Sequence, residues 1–385
     1  MSRSPKACAH KEVIADRSRS TLSLGNLPAG CIVFLILATT TLLASYKNAQ
    51  AADSIYTSEI FPAAIKNVFQ AGYVQLSQSS LQLLESARAG CHNSNLKTLS
   101  QMQDEFRSVV SAFARVEMYR LGPMVEELRQ NRLFYWPDKR RVGERQLRKL
   151  LKDPTSKELT ESRLAGKSVA LQGLPALERL LFGKSAVVNI TNNTAADCHV
   201  VTVIAENIHS MANSIESGWN DKSDLVISMR NPTADSDVFR TEQEVLTRLV
   251  TQIVIGVDTV LNRKIRPLVG TSANIRAAPL WLSQQTMPMI KGNLEGIRAL
   301  LIDSGLAADT NLEDELQFEF RSANTMLERL LLLPDLTDAS GKLTDDANSL
   351  TKALAAVVTG IHVTLDDRFL SALGISTGFN SEDGD

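Results

Sequence analysis

The stretch EQEVLTRLVTQIVIGVDTVLNRKI, residues 242–265, decides the fold class. Its apolar residues Leu246, Leu249, Val250, Ile253, Val254, Val257, Val260 and Leu261 recur at steps of three and four, which gathers them on one side of a helix. A half-buried strand would alternate apolar and polar residues, and this run does not. The same spacing returns in Leu96, Leu99, Met102, Phe106, Val109, Val110, Phe113 and Val116, a helix expected to continue towards Gly122-Pro123. It returns again in Leu350, Leu354, Val357, Val358, Ile361 and Leu365. Further helices are expected from Pro62 to about Arg88, Gly143 to Leu151, Ala195 to Trp219, and Leu312 to Leu333. Another should open at Pro279 and run to Leu301 with an interruption at Pro288, and residues 220–240 read as a charged linker. Aromatic residues make up only 5% of the chain, and no alternating run competes with these helices. The expectation is an all-α protein, two helical bundles in series.

Residues 1–51 read as an export leader. A basic, serine-rich start through Arg19 precedes an uncharged apolar run from Cys31 to Ala44, and Ala49-Gln50-Ala51 supplies a small-x-small cleavage site. The apolar run is shorter than the roughly 20 residues a membrane span needs. Leu27-Pro28-Ala29-Gly30-Cys31 has the look of a lipobox, but it precedes the apolar run, which argues against a lipid anchor at Cys31. The expected organisation is a signal peptide over 1–51, an N-terminal bundle over 52–190 and a C-terminal bundle over 191–385, with no stable membrane span after cleavage.

Without the leader, which carries six basic and two acidic side chains, the 41 basic and 43 acidic groups become 35 and 41, a net −6. That balance offers no case for a nucleic-acid partner. Two of the four cysteines also go, leaving Cys91 and Cys198. In an oxidising compartment such a pair invites one disulfide; two buried free thiols are the alternative.

The most unusual helix lies between Gly166 and Gly183. Leu174, Leu177, Leu180 and Leu181 share a face, yet the stretch also holds Gln172, Glu178, Arg179 and the break Gly173-Leu174-Pro175. Proline is tolerated in a first helical turn, so the break reads as a helix restarting. Glu178 then stands one turn inside, where the helix dipole favours its charged form. The bland alternative is a buried kink with a solvated glutamate. Upstream, Glu117 and Arg120 stand three apart just before Gly122-Pro123. They are either an exposed ion pair or an acid and a cation held at a kink.

Other motifs fall away. Gly166-Lys167-Ser168 and Gly183-Lys184-Ser185 look like the end of a phosphate loop, but glutamates, Glu161 and Glu178, occupy the first glycine position and no strand precedes either. Glu206-Asn207-Ile208-His209 has di-iron spacing without a second copy, so His209 reads as a surface residue.

Taken together, Arg115 to Pro123, Phe134-Tyr135-Trp136-Pro137-Asp138 and Leu171 to Gly183 resemble the imelysin-like proteins, a bacterial envelope family linked to iron uptake and classed with metallopeptidases. Cys198, the Trp281 segment and the ending Gly378 to Asp385 extend the likeness over nearly all of the chain after residue 51. The resemblance implies two helical bundles with a site at their interface, marked by Gly-x-His-x-x-Glu. Gly173 and Glu178 match that marker, but Pro175 stands where the histidine should be, and proline offers no ligand. On this resemblance Glu178 and Glu117 are the candidate ligands for iron or another divalent cation, since hard ions prefer oxygen. Arg120, Arg179 and Gln172 are the candidate contacts to a bound ligand or anion. The implied function is a periplasmic, non-enzymatic protein that binds a metal or small ligand for iron uptake, with an envelope iron-transport component as partner. The alternatives are a metal-dependent peptidase using Glu178 as general base and an envelope interaction module.

Overall fold

In the computed structural model, which describes residues 57–375 apart from 185, 188–194, 271–272 and 309, the amphipathic runs are helices. In chain order they are α1 (Ala71–His92), α2 (Leu96–Val116), α3 (Val142–Lys152), α4 (Leu174–Phe182), α5 (Ala195–Gly218), α6 (Glu242–Asp258), α7 (Thr286–Arg298), α8 (Glu313–Leu331) and α9 (Asp345–Val363). Among the described residues no strand forms, and one antiparallel bridge joins Thr337 to Leu343. The chain is all-α, as its periodicity requires. The expected leader and cleavage site, the expected polar loop at 189–194 and the ending Gly378 to Asp385 lie outside the described residues.

α1 packs on α2 and α5, α2 packs on α7, α7 on α8, and α8 on α9. Although α5 comes after residue 190, its main packing partner is α1. One continuous hydrophobic core joins all of these helices. Within it Phe69 stacks on Trp219 at 4.4 Å and meets Tyr119 edge-on at 5.0 Å. Of the two states open to Cys91 and Cys198, the structure has the disulfide. Cys91 at the end of α1 is bonded to Cys198 in α5, with their Cα atoms 5.4 Å apart and a separation of 107 positions in sequence.

Among the described residues four π turns extend the helices: Ala64–Gln70 before α1, and Thr259–Ile265, Ala299–Asp303 and Thr364–Phe369 after α6, α7 and α9. A π turn admits an extra residue and rotates the next part of the helix, and such turns recur at functional sites.

Several helix limits differ from the expectation. α2 stops at Val116 and does not reach Gly122-Pro123. Glu117, Met118, Tyr119 and Leu121 are all buried, which one helix face cannot achieve, so the chain leaves the helix to bury them. Gly122 then takes a positive φ of 54°, which glycine adopts without strain. The 220–240 linker holds a short helix, Asp224–Arg230, capped by Ser223. The chain turns through residues 279–284, so Pro279 opens no helix, and α7 begins at Thr286. Pro288 therefore sits in a first turn, where its missing N–H leaves no acceptor unpaired. The cap of α2 is Asn95, which with Thr98 forms a reciprocal capping box.

Candidate functional site

Two glycines bring α7 onto α2. A Cβ on Gly296 would lie 2.0 Å from the Arg115 carbonyl oxygen, and one on Gly292 would lie 2.6 Å from the Ala114 Cβ. Only bare backbone allows that approach. It sets Asn293 against the end of α2, where its amide nitrogen donates to the Ala114 carbonyl at 2.7 Å and to Glu117 Oε2 at 2.8 Å. From the π turn after α6, Lys264 Nζ donates to the same Glu117 Oε2 at 2.5 Å and to Asn293 Oδ1 at 2.7 Å. Lys264 is wholly buried and Glu117 nearly so. The ammonium also lies 5.6 Å from the Phe134 ring centroid. Burial pulls the Lys264 ammonium below its ordinary value, and Glu117 pulls it back up. This is a buried salt bridge whose acceptor and donor are both also served by one asparagine.

α2 ends at Glu117, so helical spacing does not set the relation between Glu117 and Arg120; the Arg120 charge still acts at this centre, lowering the pKa of Lys264. The backbone N–H of Arg120 donates to Gln252 Oε1 at 2.6 Å, and the Gln130 amide donates to the Glu117 carbonyl at 3.0 Å.

The Gly173–Glu178 segment forms a second centre. Gly173 caps α4 and Pro175 stands in its first turn, so the break is a helix restart, as read from the sequence. The glycine is required by contact: a Cβ there would lie 2.1 Å from the Leu133 carbonyl oxygen. Glu178 points inward and is 5% exposed. Its Oε1 accepts from the Ser283 N–H at 2.9 Å and the Ser283 hydroxyl at 2.7 Å. Burial raises its pKa above the ordinary carboxylate value, against the pull of these bonds and of Arg179. The helix dipole was expected to favour the charged form; desolvation outweighs it.

The remaining candidates make contacts within the fold. The Gln172 amide nitrogen donates to the Ala165 and Lys167 carbonyls at 3.2 and 2.7 Å, and its oxygen accepts from Arg132 Nε at 2.7 Å. It ties the loop before α4 together. Arg179 lies 3.9 Å from Glu144. Asp138 accepts from the Val142 and Gly143 N–H groups at 2.6 and 2.9 Å and so caps α3. His209 Nδ1 lies 3.1 Å from the Ser80 hydroxyl, and Glu206 is 3.0 Å from Arg88.

Glu117 and Glu178 thus have separate partners, Lys264 with Asn293 and Ser283 respectively. A cation at Glu117 would have to displace an ammonium, and Glu178 offers one carboxyl group whose burial favours its neutral form. Among the described residues no three His, Cys, Asp or Glu side chains gather as metal ligands. This donor set does not fit a metal ion.

Lys264, Asn293 and Ser283 escaped the sequence reading. Lys264 had a signal: it stands seven, four and three residues after Val257, Val260 and Leu261, on the apolar face of the opening stretch. The Gly292-x-x-x-Gly296 spacing likewise marks a close helix crossing, which places Asn293. Ser283 lies in a turn and leaves no periodic trace.

An all-helical scaffold with buried acids served by its own donors is the class these observations define. The chain belongs to the imelysin family, whose model, Imelysin, matches residues 69–363. It is similar in structure to an imelysin-like protein from Psychrobacter arcticum 273-4, with a TM-score of 0.67 and 17% identity over 84% of this chain and 97% of that one. It is also similar to an iron-regulated protein A precursor from Parabacteroides distasonis ATCC 8503, with a TM-score of 0.64 and 14% identity over 81% and 95% of the two chains. At these identities the likeness is one of fold. No curated protein matches the chain.

Proposed function

We propose that this imelysin-family protein is exported to the periplasm and serves there as a non-enzymatic, ligand-binding component associated with iron uptake. The observation that carries the non-enzymatic part is the state of Glu178: its carboxyl accepts two bonds from Ser283 inside the fold. A general base must instead reach the proton it removes. Pro175 removes the nitrogen that the family marker would supply. Together these favour a small ligand over a bare metal ion, and a binding role over peptidase chemistry. The iron association is supported by the family resemblance and by the iron-regulated description of one structural relative. The Cys91–Cys198 disulfide suits an oxidising compartment and supports export.

The test compares cells lacking the protein with cells restored by the full chain. Under iron limitation the deletion should lower uptake of labelled iron, and the periplasmic form should begin at Ala52. Unchanged uptake would remove the iron role, and recovery only from the cytoplasm would remove the export.

A further inference from the structure

Away from Glu117 and Glu178, a cleft of about 770 Å³ opens between two groups of helices. The π turn Ala64–Gln70, α1 and α2 form one side; α7, the π turn Ala299–Asp303 and α8 form the other. The volume lies within the range of small-molecule sites, roughly 300–1,000 Å³. The two π turns pack on each other and both contribute to the lining, through Asn67 and Val68 on one and Ala299 and Asp303 on the other.

The charges of the lining are uneven. Arg115, Lys291, Arg298 and Arg321 bring four cations against the two carboxylates of Glu295 and Asp303. Arg298 grips Asp303 through two bonds of 2.9 Å. Arg115 and Lys291 share Glu295, at 2.8 and 3.9 Å, and Lys291 also reaches Glu328 at 3.3 Å. Arg321 pairs with no carboxylate among the described residues; its guanidinium meets the Gln317 amide oxygen at 3.4 Å. With Glu328 counted, one cation, Arg321, is left over, and this surplus sits on a chain that is net −6 after its leader, against the overall charge. The nearly buried rings of Tyr119 and Phe320 back the same walls. Guanidinium groups pair in a forked geometry with carboxylates, and a cleft concentrates the field of its charges.

We propose that this cleft binds a small organic anion with at least two negative charges, an oligocarboxylate either free or as a metal chelate. The apolar walls take the carbon body, Arg321 makes the principal ion pair, and Arg115 and Lys291 shift part of their pairing from Glu295 to the ligand. This deepens the small-ligand reading above by giving the ligand's class and its place, and it rests on that reading.

The test is calorimetry at low ionic strength with citrate, ferric citrate and inorganic phosphate as probes. Wild type, Arg321→Glu, Arg321→Ala and Glu178→Gln are titrated, each checked for folding by its thermal transition. The wild type should bind citrate or ferric citrate. Arg321→Glu should weaken binding roughly tenfold or more and Arg321→Ala less, with Glu178→Gln unchanged. Binding of citrate alone assigns the free oligocarboxylate, and binding of ferric citrate alone assigns the chelate; either supports the proposal. Binding of phosphate only, of no probe, or equal binding by the wild type and a folded Arg321→Glu protein would overturn it. An unaltered iron-uptake phenotype in Arg321→Glu cells would also count against this cleft while leaving the proposed function standing.

Discussion

Lys264 Nζ lies 2.5 Å from Glu117 Oε2, and the two residues, 147 positions apart, are buried together where α2 ends, beside the π turn at the end of α6. Their contact joins two helices that are not consecutive in sequence. Removing only one partner leaves a charge uncompensated in the interior. Lys264→Met is therefore expected to destabilise the protein by about 3–5 kcal/mol. The double variant Lys264→Met/Glu117→Leu should recover most of that loss, because an apolar pair carries no desolvation penalty. Urea midpoints of the two variants and the wild type measure this, and a double variant no better than the single one would argue that the pair has a role beyond neutralising itself.

Glu178 gives a prediction in pH. Its folded pKa is raised above 4.5, with burial the largest cause. A raised pKa means the folded state holds the proton more tightly, so its contribution is fully present below the unfolded value and is lost as pH rises through the folded value. Glu178→Gln cannot ionise and still offers an oxygen to Ser283. Its stability should fall less than that of the wild type as pH rises from about 4.5 through the raised folded value. Parallel stability curves for the two proteins would refute the assignment.

The glycine crossing is tested by Gly296→Ala. The new methyl would lie 2.0 Å from the Arg115 carbonyl, which is backbone and cannot swing aside. α7 must shift from α2, at an expected cost of about 1–3 kcal/mol. The shift should also loosen the Asn293 bonds to Ala114 and Glu117. Hydrogen exchange at the end of α2 should rise in the variant; unchanged protection and stability would contradict the crossing.

The disulfide spans 107 residues. Constraining a loop of that length in the unfolded chain corresponds to about 4–5 kcal/mol in the chain-entropy account. Reduction, or the Cys91→Ser/Cys198→Ser variant, should lower the thermal transition clearly. A transition that ignores reductant would show that the unfolded chain is already restricted.

The fold was legible because its signal is periodic. Leu246 to Leu261, Leu96 to Val116 and Leu350 to Leu365 each repeat a helical face many times over, so a misread residue changes little. The helix end at Val116 was not legible, since Glu117-Met118-Tyr119 still fits a helical repeat and only the need to bury four neighbouring side chains breaks it. The Gly173–Pro175 restart was legible from local backbone chemistry. The charge state of Glu178 was not: it depends on desolvation and on Ser283, 105 residues away. Lys264 lies between these cases, visible as a cation on an apolar face yet without a partner until α2 and α7 are placed. The cleft was the least legible, being assembled from surfaces of six elements with no shared motif.

We propose that the acids of the Gly173–Glu178 marker and of Glu117 serve the fold and hold no catalytic metal. Calorimetric titration of ferrous, ferric, zinc and calcium ions into the wild type and Glu178→Gln tests it most directly. The account predicts no saturable binding that depends on Glu178, so the two proteins should give the same heats. Stoichiometric binding of any of these ions by the wild type, lost in a folded Glu178→Gln protein, would contradict it.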